Sequence, residues 1–184
     1  MDSENQPRYH TTQELADSAF SSTCVTSPSG STDMTHGSEN INTSEILRLL
    51  HGGQVLMVNS RRRNGLILYK GYHAEFAGPG AAVGSFYDQD CEWALPVGNI
   101  SLLSPESYEE RQKAYLIRRQ WIRLMRQMTE KPVPQQRVQM ILTQFENYFD
   151  PLTVAQLPDE AFALLVGVLP RTVRTVRRAS PVTD

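Results

Sequence analysis

The chain has 184 residues, 40% of them hydrophobic, and its eighteen basic and twenty acidic side chains leave a net charge of −2. That length holds one domain or two small ones, and so balanced a charge argues for no partner by itself. Two cysteines, Cys24 and Cys91, make neither a disulfide framework nor a zinc or iron–sulfur site, and no apolar run approaches the ~20 residues of a membrane helix.

The charge is unevenly placed. Residues 1–45 carry seven acids against one base, residues 46–105 five bases against four acids, and residues 106–184 twelve bases against nine acids. Fifteen of the eighteen basic residues are arginine, the side chain suited to bidentate contacts with phosphate and guanine. Genome composition explains that preference equally well. Residues 1–44 are acidic, rich in Ser, Thr, Asn and Gly, and poor in apolar side chains. Such a segment buries too little apolar surface to offset its ordering entropy, so it reads as a disordered tail with a short helix near Thr12–Phe20. The opening Met1-Asp2-Ser3-Glu4 has neither the basic nor the apolar region of a signal peptide, which points to a soluble, cytoplasmic protein.

From Ser44 a short capped helix runs through Leu50 and stops at Gly52-Gly53. Strand-like runs follow at Gln54–Asn59 and Leu66–Tyr69, and the Asn64-Gly65 pair between them signals a hairpin. Phe86–Tyr87, Glu92–Leu95 and Asn99–Leu103 complete a small antiparallel β unit of about five strands over residues 45–104. Gly78–Ser85 resembles a phosphate loop, but it lacks the lysine and the glycine spacing of one. It reads as a flexible turn.

Ser104-Pro105-Glu106 predicts the start of a long helix over 105–130, with Ser at the cap and Pro at the first position. At 100° per residue, Ala114, Ile117, Trp121, Leu124, Met125 and Met128 share one stripe, and Arg119, Arg123 and Arg126 take the opposite face. The prolines of Glu130–Pro134 exclude helix and mark a linker. Helix 135–149 presents Val138, Ile141, Leu142, Phe145, Tyr148 and Phe149 on one side until Asp150-Pro151 stops it.

Asp159–Arg178 then reads as two helices and a sharp turn. Asp159 and Glu160 favour the positive end of the first helix. Ala163 allows a close crossing, and Gly167 supplies the positive φ that ends the helix. Pro170 opens the second helix, with Val173 and Val176 inward and arginines outward. This is the spacing of a helix-turn-helix, whose second helix enters the DNA major groove. The fold class is therefore α+β: a small β unit, a long connecting helix, and a trihelical helix-turn-helix domain over 135–178.

No catalytic set accompanies these elements. His10, His36, His51 and His73 are scattered without partners at ligand spacing, and there is no nucleophile elbow or Cys–His pairing. The expectation is no enzyme, no metal and no cofactor.

Arg137-Val138 through Phe145, then Leu152, Thr153, Gly167 and Thr172-Val173, resembles the C-terminal domain of the cyclic-AMP receptor/Fnr-type bacterial transcription regulators, over about residues 135–178. The resemblance implies a recognition helix at Pro170–Arg178. It also implies a dimer helix at 105–130, built on Ile117, Trp121, Leu124, Met125 and Met128. The β unit is then a truncated form of that family's effector β-roll, or else an unrelated SH3-like barrel. The family commonly places a base-reading arginine, a glutamate and a second arginine three, four and eight positions after the glycine. Pro170, Arg171 and Thr175 stand there instead, and only six residues follow Arg178, too few for the family's wing. No arginine lies between Gly71 and Leu103 to hold a cyclic nucleotide.

The expected function is a regulator that binds double-stranded DNA, as a homodimer. Arg171 and Arg174 would reach base edges, with Thr172 at a phosphate or thymine methyl and Thr175 beside them, while Arg177 and Arg178 contact phosphate. The alternative is a protein-interaction adaptor whose β domain offers Tyr69, Tyr72, Phe76, Phe86, Tyr87 and Trp93 to a partner. A third reading has Arg61–Arg63 bind RNA.

Overall fold

The computed structural model describes residues 43–179, all within one compact unit. The acidic tail, its expected helix near Thr12–Phe20, and Cys24 lie outside the described residues. The class is α+β. Helix α1 (Thr43–His51) leads into two three-stranded antiparallel sheets. In the first, β1 (Val55–Val58) lies between β4 (Ala82–Gly84) and β6 (Leu102–Leu103), with Leu56 opposite Val83 and Val58 opposite Leu102. In the second, β2 (Gly65–Lys70) lies between β3 (His73–Ala77) and β5 (Trp93–Val97), and Ile67 faces Phe76 on one side and Leu95 on the other. Proline is tolerated in β5 at Pro96 because that strand pairs on one side only.

The expected hairpin across Asn64-Gly65 does not form, because β1 and β2 belong to different sheets. The tight turn that favours Asn-Gly needs positive φ at both residues, and neither residue has it. Gly65 serves a different need. A Cβ there would lie 2.6 Å from the Phe76 ring, so glycine is what lets β2 and that ring approach. The hairpin turn sits instead at Gly71-Tyr72, where Gly71 takes φ 53° and Lys70 pairs with His73. Gly78–Ser85, expected as a flexible turn, contains β4. Phe86–Tyr87, expected as a strand, forms a single 3-10 turn over Ser85–Asp88.

Helix α2 (Tyr108–Thr129) begins three residues later than Ser104-Pro105 suggests. Ser107 and Glu110 make the stronger cap: the Ser107 hydroxyl accepts from the Glu110 amide at 3.1 Å, and the Glu110 carboxylate accepts from the Glu106 amide at 2.8 Å. The chain continues through α3 (Pro134–Tyr148), the short α4 (Pro151–Gln156), α5 (Asp159–Val166) and α6 (Pro170–Ala179).

One core joins these elements. The Phe76 ring of β3 meets Trp121 edge-on at 5.1 Å, Phe145 at 4.9 Å and Phe149 at 6.0 Å, and Phe145 meets Phe162 at 5.1 Å. The Glu130–Pro134 break is thus a turn between α2 and α3, and the β unit and C-terminal helices share the buried cluster on either side of it. Phe76, expected on a partner surface, lies at the centre of that cluster.

Candidate nucleic-acid interface

α5 and α6 are joined by three residues. Gly167 caps α5 in the left-handed conformation (φ 61°, ψ 52°), and the Val168 amide donates back to the Ala163 carbonyl at 3.0 Å. Arg137 of α3 donates to the Gly167 carbonyl at 3.3 Å and fixes the turn from outside. Ala163, Val173 and Val176 are buried, so α6 is seated against α5 through small and β-branched side chains.

The expected DNA contacts divide into two groups. Arg171, Arg174, Thr175 and Arg178 recur at three- and four-residue spacing and are all exposed. Among the described residues, neither Arg171 nor Arg178 has an acidic partner. Arg174 pairs with Asp159 at 3.3 Å but remains more than half exposed. Thr175 donates its hydroxyl to the Arg171 carbonyl at 2.9 Å, and Thr172 is half-buried at the start of the helix. Arg177 turns inward instead. Its guanidinium donates to the carbonyls of Val154 (3.2 Å) and Leu157 (2.9 Å), pairs with Asp159 at 3.2 Å, and lies 4.9 Å over the Phe162 ring. Arg177 closes the end of α4, with its guanidinium engaged by the chain's own carbonyls and by Asp159.

The stripe expected to pair two copies faces the chain's own sheets. Trp121, Met125 and Met128 are buried, with Ile117 and Leu124 packed half-buried beside them. Tyr72, Phe86, Tyr87 and Trp93 of the expected adaptor surface are exposed, while Tyr69 packs half-buried against the core. Arg61, Arg62 and Arg63 are exposed on the loop before β2. Among the described residues no His, Cys, Asp and Glu come together in a group able to hold a metal ion, and no helix is long and apolar enough to cross a membrane.

Sequence reasoning missed a buried ionic cluster between β2, β3, the 3-10 turn and α2. Lys70 lies 3.2 Å from Asp88, 3.0 Å from Asp90 and 3.9 Å from Glu75. Arg118 pairs with Glu75 and, at 3.2 Å, with Asp88, and donates to the Ala82 carbonyl at 3.3 Å. Burial opposes the Glu75 charge, but Arg118, then Lys70 and His73, hold its carboxyl below the usual range. Burial likewise opposes the Lys70 charge, and Asp90, Glu75 and Asp88 outweigh it to raise that ammonium. Nearby Cys91 is pushed up to about 11 by burial and by the Asp88 charge, so it stays a thiol. The signal for this cluster was an arginine standing inside the apolar stripe of α2, four after Ala114 and three before Trp121. With two bases set against three acids, the cluster pins the 3-10 turn to α2.

Comparison with protein-family models, with curated proteins and with solved structures returns no match for this chain.

Proposed function

We propose that the chain is a non-enzymatic transcriptional regulator that binds double-stranded DNA through α5 and α6 as a helix-turn-helix, with α3 as the third helix. The observation that carries this reading is the pairing of a buried Val173/Val176 face with an exposed Arg171/Arg174/Arg178 face on one helix. Presented to the major groove, Arg171 and Arg174 reach base edges, and Arg178 steadies the helix against phosphate. One module of this size grips few base pairs, so a homodimer on a two-fold site fits. Since the apolar stripe of α2 is buried in the chain's own core, the dimer contact falls elsewhere.

Selection from a random duplex pool, followed by binding at two salt concentrations, tests the reading. An enriched palindrome, with Arg174→Ala losing discrimination and Arg178→Ala weakening all sequences alike, is the expected result. No enriched motif and only steeply salt-dependent binding would leave a basic surface alone.

The pairing of Arg174 with Asp159 and the exposure of Tyr72, Phe86, Tyr87 and Trp93 favour a second reading. In it the β unit, as a truncated roll or SH3-like barrel, is an adaptor for a protein partner, beside a degenerate helix-turn-helix.

A further inference from the structure

α2 turns a second face to solvent. At 100° per residue, Tyr108, Tyr115, Arg119, Ile122 and Arg126 fall within about 60° of one another, with Arg111 and Arg123 on the flanks. Ring or aliphatic side chain and arginine alternate along this line. Arg126 pairs with Glu130 at 3.3 Å, whereas Arg111, Arg119 and Arg123 have no ion-pair partner among the described residues.

Two further rings join the line from the β unit. Tyr87 lies 5.3 Å from Tyr115, and Phe86 stacks on Tyr87 at 4.1 Å with 31° between the planes. Phe86 is 66% exposed and Tyr87 53% exposed. Their display is built rather than accidental. Ser85 adopts φ 57°, a left-handed backbone that disfavours a side chain, directly before the pair. The Asp88 carboxylate holds the preceding Gly84 amide at 2.8 Å, and Lys70 donates to the Tyr87 carbonyl at 2.6 Å. Arg118 and Lys70 in turn hold Asp88. A buried ionic clamp and a strained residue therefore keep two large rings more than half in water, outside the buried core.

The chemistry selects the occupant. A second copy packed on this face by a two-fold axis would set like arginines against one another. An apolar peptide would leave those arginines unmatched, and duplex DNA keeps its base faces stacked inside. A single strand offers both phosphate and open π faces, which sequence-independent binders meet with a basic track and aromatic platforms. We propose that this face binds single-stranded nucleic acid, with bases stacked on Phe86, Tyr87 and Tyr115 and the backbone led along α2 by Arg111, Arg119 and Arg123. From Arg111 to Arg123 the track is ~18 Å long, enough for a few nucleotides. The surface is separate from α6 and stands independently of the duplex-binding reading.

The test is fluorescence anisotropy of the full chain with labelled oligothymidylate and oligouridylate over a salt series. The wild-type chain is expected to bind, and the exposed pair Phe86→Ala/Tyr87→Ala to weaken binding about tenfold or more without a change in melting temperature. Arg119→Gln/Arg123→Gln should lower the slope of log affinity against log salt by about 1.4, at ~0.7 per phosphate contact. No binding by the wild-type chain overturns the proposal, as does unchanged affinity in the Phe86/Tyr87 variant. Displacement by polyglutamate as readily as by oligonucleotide also overturns it, because bare anion attraction then suffices. A chain that yields no duplex motif yet binds oligothymidylate through Phe86 and Tyr87 fails the α6 reading alone; the reverse result removes only this one.

Discussion

Arg177 shows how one side chain can hold a structural role that its sequence pattern does not reveal. It stands in the run Arg171, Arg174, Arg177 and Arg178, yet it caps two carbonyls of the α4 end, pairs with Asp159 and covers Phe162. Hydrogen bonds to a charged group are worth about 1.5–3 kcal/mol. Arg177→Ala should therefore destabilise the chain by about that much in urea titration, and Arg177→Lys should not restore it, since one ammonium cannot reproduce the fork. A variant with wild-type stability and weakened DNA binding would return Arg177 to the phosphate contacts. Asn64-Gly65 is the parallel case among turns. A Gly65→Ala substitution would cost ~1–3 kcal/mol through the Phe76 ring, a packing penalty that no local turn rule foresees. The doublet was legible as punctuation but not as a close approach, because the ring it accommodates is eleven residues away and reaches it through the β2–β3 pairing.

Glu75 adds a pH dependence at this same scale. Its carboxyl is held low when folded, so its contribution is complete above the unfolded value of about 4.3 and is lost as the pH falls through the folded value. Glu75→Gln should flatten that acid limb of the stability curve while lowering stability at neutral pH, where Arg118 loses a partner. An unchanged acid limb in the variant would show that the cluster does not couple to folding through Glu75.

Among elements, the longer helices were legible, whereas the short α4, read only as the stop at Asp150-Pro151, and the sheet pairings were not. α3, α5 and α6 follow from spacings of three and four, from prolines at their starts and from Gly167 at the turn, all within a few residues of one another. The sheets depend on contacts that no local signal encodes: β1 pairs with strands that follow it by more than twenty residues, skipping β2 and β3. β3 itself escaped notice because His73–Ala77 contains only one large apolar side chain, although that side chain, Phe76, lies at the centre of the core. The α5–α6 turn offers the sharpest check. A Cβ at Gly167 would meet nothing closer than an Arg137 guanidinium nitrogen at 3.9 Å, so the obstacle to alanine is the positive φ. Gly167→Ala should cost ~1–2 kcal/mol, and Gly167→Asn less, since asparagine tolerates that conformation. Equal losses in thermal denaturation would mean that packing, not backbone geometry, sets the residue.

At the scale of the whole molecule, the separate β and helix-turn-helix domains expected from the Glu130–Pro134 break share one interior. Phe76 carries β3 into contact with Trp121, Phe145 and Phe149, and Phe145 passes that contact to Phe162 of α5. A proline pair reliably ends a helix, but it says nothing about whether the helices on either side bury their apolar faces together. The seating of α6 therefore depends on the sheet, and any ligand on either surface stabilises both. Phe145→Ala, which opens a cavity where these rings meet, should cost about 3–5 kcal/mol. The loss should appear in a single transition, with amide exchange in β2 and in α6 accelerating by the same factor. Independent domains would behave differently: α6 would open early while β2 kept its protection. Coincident opening would instead make the helix pair inseparable from the β unit in any truncation used to study its binding.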